Sequence, residues 1–420
     1  MSNSHMTQGE RFMTRPSFLS RSILGAAAIW TQAASADGFR NPPDTAAALG
    51  KSGNHMVWVD DASALFYNPA NLVDVPAPQV QISSMVGYSH ADYRGQLGRT
   101  ETERPWGLLP GFALAAPVQE TDLALGLGLH VPFGRQTRWD SRGVFRYAAP
   151  ASTEMMVADL SPAVAWRVSD SISVGAGLDM YYGRLQFRQI LPVSPGSQVT
   201  ADANGYAVGG NAGITWRMTP NQRLALTYRS PFDLTFDGDM NTDGLPYPAV
   251  DESDVETTFK FPTIVALGYG LQLTETLRVE AKVEWLQFSR FKTMAIDAGA
   301  NSPLVDMMGL SNTPQNWDDT WTFGIGPEWR FAQEWTLRAG YLYLPSPIPN
   351  STFAPLALDV DQSVVSVGLG YETGNHAVDI AYALGIFDTR RVHSNQNPLY
   401  QNGTYDFEGH LFALSYTYTF

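Results

Sequence analysis

Connections of two kinds alternate along this chain, and that alternation leaves few folds open. Short polar turns occur near Val118–Asp122, Val168–Ser171, Met218–Gln222, Gln272–Thr276, Phe331–Trp335 and Glu372–His376. Long irregular stretches lie between them, at roughly 93–109, 133–153, 189–203, 238–254, 292–316, 345–361 and 389–407. The segments that separate the connections repeat with period two. In "TLRVEAKVEWLQF", Leu277, Val279, Ala281, Val283 and Trp285 share one face, and Arg278, Glu280, Lys282 and Glu284 share the other. A soluble sandwich could use such a strand but has no reason to sort its loops by length. A transmembrane barrel has one, because its periplasmic turns are short and its external loops long. Seven long and six short connections make fourteen strands, an even number such barrels adopt.

Composition agrees with an all-β transmembrane barrel. Charged residues make up 16% of the 420, below the usual quarter, while aromatics reach 12%. No run of about 18 apolar residues could span a bilayer as a helix. The formal charge of −14, without a lysine or arginine run, argues against a nucleic-acid partner. Cysteine is absent, which removes thiol nucleophiles, cysteine zinc sites and disulfides. There is no G-x-S-x-G, and the seven histidines are scattered. The chain is therefore expected not to be an enzyme and to need no cofactor or metal. "DGDMNTDG" places Asp239, Asn241, Asp243 and Gly244 at calcium-loop spacing, but Val250 stands where a bidentate Glu is needed. An acidic external loop is the reading preferred there.

Both ends support export. Arg11, Arg15 and Arg21 precede the apolar Ile23–Trp30, and Ala34 and Ala36 form an A-x-A site. Residues 1–36 are expected to be a signal peptide and Asp37 the first mature residue. "HLFALSYTYTF" at the other end puts Phe412, Leu414, Tyr416, Tyr418 and Phe420 on one face of a closing strand. Residues 37–78 do not alternate and are too apolar for a disordered tail. They are long enough to fold inside a fourteen-strand lumen, so a plug over 37–78 and a barrel over 79–420 are expected. Within the plug, "DDASALFYNPANL" reads as a short helix stopped at Asn68-Pro69-Ala70.

That segment resembles the hatch motif of the FadL/TodX family of outer-membrane transporters for long-chain fatty acids and other hydrophobic compounds. The resemblance continues, in order, through "VPFG" (Val131–Gly134), "LSPAVAWRVSDSISVGAGLD" (Leu160–Asp179), "RLALTYRSPFDLTFDGD" (Arg223–Asp239), "EWLQFSRF" (Glu284–Phe291) and "SPIPN" (Ser346–Asn350). It implies a monomeric fourteen-stranded barrel with an N-terminal hatch, in the outer membrane of a Gram-negative bacterium. Outer-membrane lipid and lipopolysaccharide would surround it, and a hydrophobic small molecule would be its cargo. It further implies capture at external loops, a lumen pocket touched by the mature N-terminus, and lateral exit at a kink in the third strand. Carried over, the N-terminal group is Asp37, Gly38 and Phe39, and the hatch motif is Asn68, Pro69 and Ala70. Gly126 and Gly128 are candidates for the weak wall, because glycine favours bulges. Arg229, Arg278, Lys282 and Arg338 are lumen-facing basic candidates. Leu304, Val305, Met307, Met308, Leu310, Phe353 and Leu356 are apolar loop residues that could form a capture surface. Family members that take fatty acids hold the carboxylate with basic residues, one near the start of the tenth strand. Here that region carries Asp318 and Asp319, which tilts the expected cargo toward neutral or aromatic compounds. The rival functions are a general diffusion porin and an outer-membrane lipid-modifying enzyme.

Overall fold

Period-two segments become a closed wall in a computed structural model, which describes residues 37–96, 98–147, 151–245, 250–396 and 402–420. The proposed signal peptide lies outside the described residues. The wall strands are β1 (Gln79–Gly95), β2 (Trp106–Pro117), β3 (Leu123–Arg138), β4 (Ser152–Arg167), β5 (Ile172–Ile190) and β6 (Gln198–Thr219). β7 (Gln222–Arg229 and Phe232–Asp243) and β8 (Glu252–Phe261 and Ile264–Gln272) are each interrupted at a proline, Pro231 and Pro262. They are followed by β9 (Leu277–Leu286), β10 (Thr320–Arg330), β11 (Trp335–Leu344), β12 (Gln362–Thr373), β13 (His376–Phe387) and β14 (Gly403–Thr419). Each pairs antiparallel with its neighbours, and β1 pairs with β14 from Gln79↔Thr419 to Arg94↔Thr404. That last pairing joins the first strand to the last and closes the sheet into a barrel, which is what a strand wall in lipid requires.

The two faces of the wall follow the alternation. Leu125, Leu178, Ile325, Ile380 and Leu414 point out and stay exposed, as a lipid-facing band must. Rings gather at both rims. Tyr88 and Trp106 meet at 5.1 Å on the side of the long loops, and Trp335 and Tyr371 at 4.6 Å on the side of the short turns. The charged face of β9 turns inward, where Glu280 and Glu284 are buried.

The long and short connections alternate as expected, with one correction. Residues 189–203 and 238–254 are mostly strand rather than loop, since β5 to β8 run past the membrane. Asp239, Asn241 and Asp243 therefore sit on β7, paired with β6 and extended, not coiled as a calcium loop. Their outward side chains face water above the lipid, so their polarity hid a strand.

Residues 37–78 fill the lumen. A short helix α1 (Ala46–Leu49), N-capped by Thr45, packs against β12, β13, β14 and β1. A second, α2 (Ala64–Tyr67), runs into a 3₁₀ turn (Pro69–Asp74) that packs against β2 to β6. Asn68 joins the two. Its backbone N–H donates to Ala64, and its side chain accepts from Ala70 N–H at 3.2 Å, with Pro69 in the first position of the next turn. Close approach explains the wall glycines here. A Cβ on Gly175 would lie 2.4 Å from the Pro69 carbonyl carbon, and one on Gly340 would lie 2.2 Å from that of Lys51.

Candidate functional site

The segment before α1 forms a strap across the inside of β3. Asn41 N–H donates to Pro132 O at 2.9 Å, and Gly134 N–H donates to Phe39 O at 2.8 Å. Arg40 thereby bridges Phe133 as a short antiparallel pair. The strap drives the Phe39 ring into a box of other rings: Trp317 at 4.5 Å, Phe291 at 5.3 Å, Phe259 at 5.6 Å and Phe261 at 5.7 Å. Gly38 has φ of +64°, and a Cβ there would lie 2.7 Å from Phe288 and Trp317, so the turn admits only glycine. The backbone N–H groups of Asp37 and Gly38 donate to Asp359 Oδ2 at 3.3 and 2.9 Å. Arg135 reaches Gly38 O and Asp359 as well. Arg40 lies between Asp37 and Glu284, 2.6 Å from the latter. Burial pushes the Asp37 carboxyl up to about 6 against the pull of Arg40. Burial raises Asp359 too, and Arg135 opposes that shift.

The strap lies where the wall is open. β2 pairs with β3 only from Pro117↔Ala124 to Phe112↔Leu129. Beyond that point β2 stays with β1, and β3 stays with β4 as far as Arg138↔Ser152. The register of β3 slips between His130 and Phe133, around Pro132, which has no N–H to offer. The strands meet again at the rim, where Thr102 bridges Trp139 and Glu103 N–H donates to Arg138 O at 2.8 Å. Among the described residues, no backbone pairing closes the wall between those two points. The strap takes the edge of β3 that β2 leaves.

Gly126 and Gly128 stand below this gap and remain paired on both sides. Their role in the structure is to seat the hatch: a Cβ on Gly128 would lie 2.4 Å from Leu65 and 2.5 Å from Phe66. Asn68 donates to Thr215 Oγ1 on β6 at 2.8 Å, and Pro69 and Ala70 cover Gly175 on β5. The hatch meets the gap instead through Phe66, stacked on His130 at 4.3 Å. His130 bridges Asp44 at 3.1 Å and Asp159 at 3.2 Å. Sequence reasoning missed Phe66, His130 and Pro132, although a proline inside a period-two run was a usable signal.

A cavity of about 200 Å³ lies between strap, hatch and wall. Leu342, Leu344, Val364, Phe387 and Leu411 line one side; Arg40, Arg229, Lys282 and His130 line the other. Each of these cations has a carboxylate. Arg229 is 3.0 Å from Asp159 and 3.7 Å from Asp179, and Lys282 is 3.7 Å from Glu284. Arg278 and Arg338 are not in the cavity lining. They converge on Glu328 at 2.6 and 2.8 Å, near the floor. Asp318 and Asp319 are exposed and lie outside the cavity, which corrects their expected place beside the cargo. Trp317, just before them, takes the inward position.

Below the cavity the hatch is fastened. Glu280 accepts from the N–H groups of Met56 and Val57 and lies 3.7 Å from Lys51, which is itself buried. Asp74 is held by Arg217, Arg167 and Arg223 at 2.6, 3.0 and 3.1 Å. Above the cavity, Val305, Leu310 and Phe353 are buried in the same cluster as the aromatic box, and Leu304 and Met308 pack against it. Leu356 is half-buried. Only Met307 of the seven loop residues is largely exposed, at 82%, so most of them roof the box. His90, Asp92 and Glu101 form the one carboxylate–histidine trio of metal-ligating spacing among the described residues, on the outside of the wall.

Comparison with known proteins accords with this architecture. Residues 27–420 match the family model described as "Outer membrane protein transport protein (OMPP1/FadL/TodX)". The chain is 25% identical over 412 residues to the long-chain fatty acid transport protein of Escherichia coli O6:H1, covering 86% of this chain and 89% of the relative. A Pseudomonas aeruginosa FadL homologue of known structure superposes with a TM-score of 0.80 at 22% identity, over 91% of this chain and all of the other. The Pseudomonas putida toluene transporter TodX does so with a TM-score of 0.71 at 18% identity, over 93% and 100% of the two chains. A matched model over nearly the whole chain, on a closed fourteen-stranded wall, identifies this protein as a member of the OMPP1/FadL/TodX family of outer membrane transport proteins.

Proposed function

We propose that this passive outer-membrane transporter takes up small neutral hydrophobic compounds, aromatic ones among them. It would release them sideways through the gap between β2 and β3, without chemical change. One observation carries the reading. A single segment, the strap, fills both the aromatic box and the free edge of β3, while the hatch beneath is fastened by ion pairs, that of Lys51 with Glu280 buried. A compound that enters the box competes with Phe39. Displacing Phe39 lifts the strap off β3 and clears the gap. Straight passage toward the short turns would instead require breaking the half-buried arginine cluster on Asp74 and the buried pair of Lys51 with Glu280, and removing one partner of such a buried pair costs about 3–5 kcal/mol.

Charge and size favour a neutral cargo. Every cation in the cavity is already matched, so a carboxylate would have to win one from a fixed partner. A cavity of about 200 Å³ exceeds the roughly 150 Å³ that accommodates benzene in an apolar protein interior. Among the relatives, one is named for toluene and another for long-chain fatty acids. The test is uptake by outer-membrane vesicles or cells that lack other transporters, comparing labelled toluene with labelled palmitate. Toluene uptake that depends on this protein, with palmitate at background, supports the reading. The reverse pattern overturns its charge argument.

A further inference from the structure

The apolar side of the cavity holds one residue of another kind. Period two along β12 turns Gln362, Val364, Ser366 and Gly368 toward the lumen. On that face Gln362 stands between Leu344 of β11 and Phe387 of β13, its partners in the two ladders. All three line the cavity, together with Leu342, Val364 and Leu411. Gln362 is only 4% exposed. A leucine or methionine there would complete an apolar wall. The carboxamide instead brings two donors and two acceptor lone pairs into it.

The protein leaves that capacity unused. Gln362 Oε1 is buried without a hydrogen-bond partner among the described residues, and the Nε2 amide donates to none of them. Polar groups across the cavity are engaged. Arg40, Arg229 and Lys282 hold carboxylates. Asn41 donates to Val131 O at 2.8 Å, and Asn211 donates to Asp179 at 2.6 Å. Ser366, on the same face of β12 as Gln362, meets Ser52 of the hatch at 2.7 Å. Buried side-chain amides are nearly always paired, and an unpaired one in a cavity wall is available to whatever enters.

We propose that Gln362 selects, among neutral hydrophobic compounds, those that carry a single hydroxyl or carbonyl oxygen. The hydrocarbon part lies against Leu342, Leu344 and Val364, and the oxygen meets the carboxamide. Rotation about the last side-chain torsion presents either end of the amide, so Gln362 donates to a ketone or ester and accepts from a phenol or alcohol. The amide carries no charge, and this anchor leaves the matched ion pairs on the other side undisturbed. A bare hydrocarbon in the cavity leaves the amide unpaired, whereas an oxygenated one pairs it. Such a site discriminates by the polar group, which an apolar pocket does only weakly. The inference rests on the reading that neutral compounds occupy this cavity, and it adds which of them are preferred.

The test uses a matched pair of probes, acetophenone and isopropylbenzene, which differ by a carbonyl oxygen in place of a methyl group. Scintillation-proximity binding of each labelled compound to the full chain in nanodiscs, corrected for empty nanodiscs, gives Kd values for the wild type and for Gln362→Met. Methionine keeps the length of the side chain and removes the amide. The ratio of the acetophenone Kd to the isopropylbenzene Kd should rise about fivefold or more in Gln362→Met, the factor to which one net hydrogen bond corresponds. Infrared spectra give a second readout. The carbonyl stretch of bound acetophenone should lie lower in the wild type than in Gln362→Met, a shift that reports the hydrogen bond itself. A heat-dependent gel shift reports that each variant has folded. An unchanged ratio, or the same carbonyl stretch in both proteins, overturns the proposal and leaves the neutral cargo standing. If neither compound binds the wild type, the reading of the cavity fails and the proposal with it.

Discussion

Replacing Phe39 with alanine separates the strap's occupancy of the box from everything else it does. The ring is 4% exposed and touches four others at 4.5 to 5.7 Å. Truncating a buried phenylalanine costs about 3–5 kcal/mol, which combines lost transfer energy, lost ring contacts and the cavity left behind. Elsewhere in a core that loss lowers stability. Here the hatch is held independently through Lys51 and Asp74, so the loss should fall on strap docking and leave the barrel's unfolding midpoint nearly unchanged. A compound binding the wild-type box must first displace the ring. At about 1.4 kcal/mol per tenfold, the displaced contacts correspond to a factor of roughly 10² to 4 × 10³. The ring's own seat becomes empty and apolar in the variant, so even partial recovery should tighten binding of a neutral aromatic at least about tenfold. Scintillation-proximity binding of labelled naphthalene to nanodisc-embedded protein measures this. Unchanged or weaker affinity in a Phe39→Ala protein that keeps its gel shift would mean that the box is structural core. The account of a self-occupied site would then be wrong.

Other consequences are as direct. Asp37 binds its proton more tightly when docked, near pH 6, than when released, near the ordinary value of about 3.9. Strap docking should therefore weaken as pH rises from about 4 to about 6 and level off above; hydrogen exchange at residues 38–41 should accelerate over that window, and Asp37→Asn should flatten it. Asn68→Ala with Pro69→Ala removes a cap, the bond to Thr215 and a preset turn, about 2–4 kcal/mol in all. Uptake should fall while the gel shift persists, and normal uptake at normal surface levels would refute a role for this turn in the path. Planar-bilayer recordings should give only small, unsteady conductance, because the hatch fills the lumen; a large steady conductance would indicate a diffusion porin.

The wall was legible in the sequence because its two solvents impose period two and its two sides impose different loop lengths. The charged face of β9 and the aromatic face of β14 could be read residue by residue. Legibility failed where one of those causes stopped acting. β5 to β8 rise above the lipid, so their outward positions become Arg188, Asp202 and Asp239, and alternation no longer marks a strand. The loop leucines and methionines were visibly apolar, but which surface they would cover depends on contacts distant along the chain, as between Phe353 and Tyr405. The position of Asn68 shows the same limit. Its capping role follows from the Asn-Pro pair alone, whereas its place on β6 rather than β3 depends on how the hatch sits against Gly175 and Gly213. At the gap, local sequence did hold the cause. Pro132 stands in the register slip of β3, just past its last pair with β2, and only the strap that takes that edge had to come from the fold.

Transport by this route requires the strap to leave β3, and the absence of cysteine makes that movement directly controllable. Arg40 and Phe133 form a narrow antiparallel pair, whose Cα separation of about 4.5 Å suits a disulfide. Arg40→Cys with Phe133→Cys should therefore crosslink strap to wall under oxidation. Uptake of labelled toluene by the same preparation, oxidised and then reduced, is the measurement. Uptake that falls to background on oxidation and returns on reduction is the expected result; equal uptake in both states, with the crosslink verified by mass spectrometry, would contradict the account.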